Sequence, residues 1–233
     1  MKKLIIRGGA GVVLIMAFAA WTTNVKHTPI IKGIETSKKE IALTFDACES
    51  KSAAYFDSSI VNYMTKNKIP FTVFLGGKFA LRNAKEVKAL SKLPFIEFEN
   101  HSMNHHNHMD RMTDAQVINE VNQAEHIIYK LTGRKPEYFR FPAGNCNQRT
   151  INDVENQGLK IVHWTYASGD PDKEITPVML ENEVDAMTKP GNILIFHING
   201  RGYSTGAALP EIVDYLKKKG YSFVTVDQLL HKG

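Results

Sequence analysis

Short apolar runs alternate with longer amphipathic stretches along most of this chain. Runs rich in aromatic and branched residues, bounded by polar or turn-forming residues, predict strands, and apolar residues three and four apart predict helices. The predicted strands cover 41–45, 71–75, 95–98, 138–140, 160–164, 192–196 and 221–224. The predicted helices cover 53–66, 76–92, 113–131, 148–157, 181–188 and 209–219.

Strands that alternate with helices indicate parallel βαβ units, and continuous apolar strands indicate burial on both faces. About seven or eight such units predict a small or incomplete α/β barrel, with an open doubly wound sheet as the alternative. No glycine-rich phosphate loop follows the first strand, which ends at Asp46. The expected fold is a small or incomplete α/β barrel, formed by one domain over 38–233.

The beginning of the chain differs from the rest. Basic residues precede an uncharged, mostly apolar run at 8–21, and 17–19 offers a small-x-small cleavage site. This layout is typical of a secretory signal peptide, and the run is shorter than the ~20 residues of a membrane-spanning helix. We expect a signal peptide or N-terminal anchor at 1–25, a linker at 26–37, and export to the periplasm, cell envelope or medium. We expect no other membrane insertion.

Composition and charge narrow the function classes. Hydrophobic residues make up 43% and charged residues 23% of the 233, as in ordinary globular domains. The formal net charge is +5, and part of it comes from the N-terminal segment. Because no basic stripe is interleaved with aromatic residues, nucleic-acid binding is not expected.

Reactive side chains stand at the ends of several predicted strands. In parallel α/β folds the chemistry lies where the strands end. Core packing alone does not explain reactive side chains at so many strand ends, and their positions predict a single site. Its members are Asp46, His101, His105, Arg140, Asp170 and His197.

The histidines predict a metal site. His101 and His105 are four residues apart, which suits one face of a helix or a tight loop. Imidazole is a good ligand for zinc and other divalent first-row metals. A solvated polar loop is the alternative, but carboxylates at other strand ends favour metal. His106 and His108 are equally compatible with surface positions and with ligation.

The remaining residues of the set have acid–base or structural interpretations. Asp46 is expected to bind metal or act as a base, and Arg140 is its natural partner through a bidentate pair. His197 is expected to be a general acid, with a hydrogen-bonded core histidine as the alternative. Asp170 either raises the pKa of His197 or is only a turn residue before Pro171.

Together these residues resemble the NodB-type polysaccharide deacetylases, carbohydrate esterase family four. The resemblance covers about 38–230 and implies a distorted (β/α)7 barrel. It also implies hydrolysis of N-acetyl or O-acetyl groups on peptidoglycan, chitin or a similar N-acetylated polysaccharide. The matching stretches are Thr44-Phe45-Asp46, His101-Ser102-x-x-His105, Arg140-x-Pro142-x-Gly144, Trp164 to Asp170, and Ile195-Phe196-His197.

The resemblance also implies roles for individual residues. His101 and His105 would bind a divalent metal, most often Zn²⁺, with Co²⁺ or Ni²⁺ as alternatives. Asp46 would be the general base, oriented by Arg140, and His197 the general acid, tuned by Asp170. The substrate-binding positions implied are Pro142, Gly144 and Trp164.

One position departs from the family pattern. The family has a second aspartate, its third metal ligand, where this chain has Ala47. Either Asp46 itself binds the metal, or the histidines hold it with waters, or a nearby donor replaces the lost ligand. The candidate donors are Cys48, Glu49, His106 and His108. If none does, the alternative function is a catalytically weak or inactive carbohydrate-binding pseudoenzyme.

The two cysteines, Cys48 and Cys146, both fall near the predicted site. In an exported protein two cysteines often pair. We expect a disulfide that joins two strand-end loops at the rim of the site. The rival hypothesis is that the Cys48 thiolate binds the metal.

Overall fold

One parallel sheet forms the centre of the molecule in the computed structural model, which describes residues 30–49 and 51–231. In these ranges the strands are β1 Glu40–Ala47, β2 Phe71–Leu75, β3 Ile96–Asn100, β4 Tyr138–Phe139, β5 Lys160–Ile161, β6 Tyr166–Ala167, β7 Ile193–His197 and β8 Ser222–Val224. Their order is β5-β4-β3-β2-β1-β7-β6, and β8 pairs with the beginning of β1. The pairings between these strands are all parallel. The curled sheet confirms the predicted distorted (β/α)7-type barrel.

Helices follow most of the strands. They are α1 Ser58–Lys66, α2 Gly77–Arg82, α3 Ala84–Leu90, α4 Asp114–Thr132, α5 Gln148–Glu155, α6 Pro177–Met187, α7 Thr205–Lys218 and α8 Val226–His231. The predicted capping box before α4 is confirmed, since Thr113 and Gln116 each bind the other's backbone N–H. This arrangement satisfies two of the unpaired donors at the start of the helix.

The central strand β1 shows how the sequence separates core from site. Successive side chains on a strand point to opposite faces. Leu43, Phe45 and Ala47 belong to the main apolar cluster, which also contains residues of α1 and α7. The alternate residue Asp46 is buried on the other face and lies in register with His197 of β7. Register therefore brings two predicted site residues side by side.

Several predicted elements differ from the observed ones. The helix predicted over 76–92 is two helices, and Asn83 separates them. The side-chain amide of Asn83 donates to the backbone carbonyl oxygens of Ala54 and Phe79 at this break. The helix predicted from 209 begins at Thr205, so Pro210 lies within it rather than at its start. The short elements β6 and α8 were not predicted because neither has enough residues for a periodic pattern.

The N-terminal part of the described chain is attached to the domain. Ile31 forms a β-bridge with Val162, and Gly33 forms one with Asn192. The described portion of the predicted linker, 30–37, therefore packs on the barrel, because its isoleucines contact the apolar clusters. The predicted signal peptide or anchor lies outside the described residues. Within 30–49 and 51–231, no helix has the length and apolar character needed to span a membrane.

Candidate active site

The predicted site residues converge at the carboxyl ends of the strands. A cleft there is lined by side chains that include Asp46, His105, Trp164, Asp170, His197 and Arg201. His101 and Arg140 are fully buried and contact Asp46 directly. The residues predicted from separate strand ends therefore form one cluster.

A buried ion pair stands at the centre of the cluster. Arg140 Nη1 donates to Asp46 Oδ1 at 2.8 Å, and both side chains are buried. The other guanidinium donors bind the carbonyl oxygens of Val162 and His163. The bidentate pair that we expected is therefore wrong: Arg140 gives one hydrogen bond to the carboxylate because its remaining donors satisfy backbone acceptors.

Asp46 remains ionised despite its burial. Burial alone raises the pKa of this carboxyl, but its interactions with His101, Arg140 and His197 outweigh burial and lower the pKa to about 2. The carboxylate is therefore ionised near neutral pH and can accept hydrogen bonds. Its second oxygen, Oδ2, lies 3.3 Å from His101 Nε2.

The orientation of His101 follows from the β3–β4 pairing. Asn100 of β3 lies in register with Phe139 of β4, so the residues that follow them are neighbours. His101 Nδ1 lies 2.8 Å from the carbonyl oxygen of Arg140. Because a carbonyl only accepts, Nδ1 carries the proton, and the neutral ring presents a lone pair at Nε2. Burial, the largest influence, lowers the pKa of His101, which favours this neutral form.

His105 reaches the same point through a tight loop. Ser102 and His105 both have positive φ, 66° and 53°, a left-handed conformation that is uncommon for residues other than glycine. The loop is held because Ser102 Oγ accepts from His105 N at 3.1 Å and Asn100 Oδ1 accepts from Ser102 N at 2.9 Å. The ring centroids of His101 and His105 are 4.9 Å apart. The tight-loop interpretation of the histidine spacing is confirmed.

The buried histidine nitrogens fit a cation. Within the described chain, His101 Nε2 and His105 Nδ1 are buried and have no hydrogen-bond partner. A buried polar atom without a partner costs about 1–3 kcal/mol. His101, His105 and Cys48 each offer one donor atom, and these atoms all lie within 4.8 Å of one another. The donors are two imidazoles and a sulfur, which suit zinc and similar divalent metals. Asp46 lies beside this donor set without belonging to it.

The expected disulfide is wrong. Cys48 and Cys146 are both free thiols. Cys48 is buried on the histidine side of the site, whereas Cys146 is half-buried and packs against an apolar cluster. The prediction failed because the sequence places both cysteines near the rim of the site but does not show in which direction each thiol points.

His197 is held by Asp170 at the end of β7. His197 Nδ1 lies 2.8 Å from Asp170 Oδ1, and Asp170 Oδ2 accepts from His197 N at 2.7 Å. Thr205 Oγ1 also donates to Asp170 Oδ2 at 2.7 Å. Burial lowers the pKa of His197, but the hydrogen bond and charge of Asp170 and the charge of Asp46 raise it more, so the net pKa is raised. A protonated ring at this position is a proton donor.

Comparison with known proteins identifies the family. Residues 33–162 match the polysaccharide deacetylase family. This chain belongs to that family. The peptidoglycan-N-acetylglucosamine deacetylase of Bacillus cereus is 30% identical over 200 residues, which are 84% of this chain and 91% of the relative. The predicted enzyme class, a polysaccharide deacetylase, is thereby confirmed.

Solved structures of deacetylases share the fold. A peptidoglycan N-acetylglucosamine deacetylase superposes with a TM-score of 0.78 at 25% identity, covering 86% of this chain and 92% of the other. A carbohydrate esterase family 4 pseudoenzyme from Bacillus anthracis superposes with a TM-score of 0.76 at 22% identity, covering 87% of this chain and 69% of its own. The second likeness concerns the fold alone.

The predicted substrate positions of the deacetylase fall in two places. Trp164 lines the cleft. Pro142 and Gly144 belong to a 3-10 turn behind it, and Gly144 has φ 70°. A Cβ on Gly144 would lie 2.9 Å from the indole of Trp164. Gly144 therefore leaves room for the tryptophan, and Pro142 is buried and is not among the residues that line the cleft.

Sequence reasoning missed several residues at this deacetylase site. Asn199 is buried and donates to the carbonyl oxygen of Cys48 at 2.6 Å. Arg201 lines the cleft, and Thr205 supports Asp170. Asn199 and Arg201 follow β7 in an irregular segment, where no periodic pattern marks them. The available signal was Asn199-Gly200-Arg201, a polar, glycine-containing segment two residues beyond His197.

Proposed function

We propose that this protein is a divalent-metal-dependent deacetylase that removes N-acetyl groups from a cell-wall polysaccharide of the peptidoglycan type. One observation carries the proposal: an ionised aspartate, two histidines of lowered pKa and a histidine of raised pKa form one cluster at the cleft. A base, a metal-binding pair and an acid are the groups that amide hydrolysis requires.

His101 and His105 would hold the metal. Each ring has a buried nitrogen without a hydrogen-bond partner, and the two rings contribute donor atoms to one cluster. The hydrogen bond from His101 Nδ1 to the Arg140 carbonyl fixes the first ring, as outer-shell partners of metal-binding histidines do. A bound divalent cation supplies Lewis acidity, which polarises a carbonyl and makes water more acidic.

Asp46 and His197 would divide the proton transfers. Asp46 takes a proton from the attacking water, whose oxygen forms a bond to the acetyl carbonyl carbon. The C–N bond then breaks as His197 gives its proton to the departing nitrogen, and the products are acetate and a free amine. Arg140 keeps Asp46 in place, and Asp170 holds His197 at Nδ1, which leaves Nε2 to donate.

The substrate assignment rests on chemistry and on the relatives. The cleft is open and carries an indole, Trp164, a suitable surface for the apolar face of a sugar ring. The Bacillus cereus relative is named for N-acetylglucosamine units of peptidoglycan. We propose N-acetylglucosamine units as the substrate of this chain.

Acetate release from N-acetylglucosamine oligomers, measured before and after chelation, tests the proposal. We expect activity that is lost on chelation and regained with zinc or cobalt. His106→Ala is a suitable control variant, because His106 is exposed and pairs with Glu120 rather than facing the cleft. Purified protein that binds no metal, and stays inactive when zinc and cobalt are added, would contradict the proposal.

That same negative result would favour the alternative, a carbohydrate-binding protein without catalysis. Ala47 is the one feature that favours it, since this residue packs in the apolar core and offers no ligand. The arrangement of groups around Asp46 and His197 favours catalysis, because binding alone needs neither a base nor an acid.

Export is part of the proposal. Peptidoglycan lies outside the cytoplasmic membrane, and the basic and apolar pattern at 1–25 is typical of an export signal. Fractionation of cells that produce the full chain should recover it outside the cytoplasm, and a variant without residues 1–25 should remain inside.

A further inference from the structure

We propose that Cys48 is the third protein ligand of the metal ion and makes this a thiophilic site of one thiolate and two imidazoles. The inference rests on the proposed function, which supplies the ion, and it extends that function by naming the residue that compensates for Ala47. No sulfur ligand follows from the family pattern, which has an aspartate one residue earlier.

The position of Cys48 is the first argument. β1 ends at Ala47, whose side chain is in the apolar core, and the chain then turns so that Cys48 Sγ faces the histidines. Its sulfur and one nitrogen each of His101 and His105 lie within 4.8 Å of one another. All three side chains are at least nine-tenths buried.

Hydrogen bonds hold the thiol in this direction. Asn199 Nδ2 donates to the Cys48 carbonyl oxygen at 2.6 Å and lies 3.4 Å from Cys48 Sγ. An amide that donates to a sulfur stabilises negative charge on it and orients it, as outer-shell partners of metal ligands do. The two histidine nitrogens without partners, His101 Nε2 and His105 Nδ1, provide the independent sign that this set of donors receives a cation.

The other replacement donors are engaged elsewhere. Glu49 forms an ion pair with Arg82, in which Arg82 Nη2 lies 3.1 Å from Glu49 Oε1. His106 and His108 are both more than half exposed, and they face Glu120 and Asp110. Of the donors considered for the lost ligand, Cys48 is therefore the one that shares a point with the histidine pair.

The donor set predicts which metal binds. Sulfur ligands favour zinc and other thiophilic ions over magnesium and manganese. Two histidines and one cysteine would match the number of protein ligands found in catalytic zinc sites. The thiol loses its proton to the buffer when it binds, so metal uptake releases a proton.

The cobalt spectrum of the purified protein tests the inference without relying on activity. Cobalt(II) bound by a thiolate has a sulfur-to-metal charge-transfer band in the near ultraviolet. We expect the band in the wild-type protein and in Cys146→Ser, which is the matched control. We expect no such band in Cys48→Ser or in Cys48→Asp, which offers a carboxylate instead.

Zinc affinity, measured by competition with a chromophoric chelator, gives the second readout. Loss of an outer-shell partner costs 10–100-fold in affinity, so loss of a direct ligand in Cys48→Ser should cost at least about 100-fold. Wild-type protein without the band, together with wild-type zinc affinity in Cys48→Ser and loss of zinc in His101→Ala, would overturn the inference and leave the proposed function intact. Failure of the wild-type protein to bind zinc or cobalt would overturn both.

Discussion

Two buried histidine regions of this deacetylase differ in what surrounds the rings. After β3, His101 places Nδ1 against a backbone carbonyl and leaves Nε2 without a partner. At the end of β7, His197 places Nδ1 2.8 Å from a carboxylate oxygen of Asp170. Both regions are at the carboxyl ends of strands of one sheet, and they differ in the group that faces Nδ1, a backbone carbonyl at His101 and a carboxylate at His197.

The partners set opposite protonation states. Burial is the largest influence on both rings of the first region: it lowers the pKa of His101, and it lowers the pKa of His105 to about 3. At His197 the carboxylate of Asp170 outweighs burial and raises the pKa. A neutral ring offers a lone pair to a metal, and a protonated ring offers a proton to a leaving group. The same side chain thus suits two different tasks within one cluster.

Replacing His101 should have the largest effect. His101→Ala removes a metal donor. The Lewis acidity of a bound ion stabilises the transition state by several kcal/mol, and each loss of about 1.4 kcal/mol lowers the rate tenfold. We expect bound zinc to disappear and acetate release to fall to background, while His106→Ala keeps both. Full zinc content in His101→Ala, measured by elemental analysis, would show that the first region does not bind the metal.

Replacing His197 should reduce activity but leave the metal in place. Loss of a general acid lowers the rate by about 10²–10⁴-fold. We expect His197→Ala to show such a loss in kcat with wild-type zinc content. If zinc were lost as in His101→Ala, the two histidine regions would share one task, and the comparison would fail.

Arg140 supports the His101 region in two ways: its backbone carbonyl orients His101, and its guanidinium pairs with Asp46. Arg140→Met leaves the carboxylate buried without a partner, which should lower the free energy of unfolding by about 3–5 kcal/mol. Because Arg140 is one of the groups that lower the pKa of Asp46 below its ordinary value, this loss is full near neutral pH and shrinks as the pH falls and Asp46 becomes protonated. Chemical denaturation at several pH values measures it.

An exposed ion pair is the matched control for the buried one. Lys135 Nζ lies 3.3 Å from Glu125 Oε1 at the surface. Exposed pairs contribute about 0–1 kcal/mol, so Lys135→Met should change the unfolding free energy by no more than that. Equal losses in Lys135→Met and Arg140→Met would contradict the structural role given to Arg140.

Asp170→Asn should have the smallest effect, mainly on pH dependence. A nearby opposite charge raises a histidine pKa by about one unit or more, so its loss should move the alkaline limb of kcat about one pH unit lower. The direction follows because the raised pKa of His197 keeps the acid protonated at higher pH in the wild type. A pH–rate profile with an unchanged alkaline limb would show that Asp170 does not tune His197.

Much of the fold and most of the cluster follow from the sequence for a simple reason. Apolar strands that end in single polar residues mark both the strand and its carboxyl end, so the sequence pattern alone assigns Asp46 and His197 to one edge of the sheet. Parallel pairing then requires that these ends meet. The same logic fails for β6, whose two residues carry no periodic pattern.

The direction of side chains beyond the strand ends could not be predicted. Cys48 and Cys146 both follow site motifs, and sequence separation does not distinguish a disulfide from a thiol that faces histidines. The contact between Cys48 and Asn199 joins residues 151 apart along the chain, and it depends on two irregular turns. Likewise, the backbone carbonyls that take up the donors of Arg140 are not visible in a side-chain motif.

Anomalous diffraction at the zinc absorption edge, from crystals grown with zinc, tests the central claim most directly. We predict a peak in the cleft, within bonding distance of His101 and His105 and beside Asp46. A map with no peak there, or with zinc only at the surface group Glu137, Asp227 and His231, would contradict the claim that the strand ends converge on one cation.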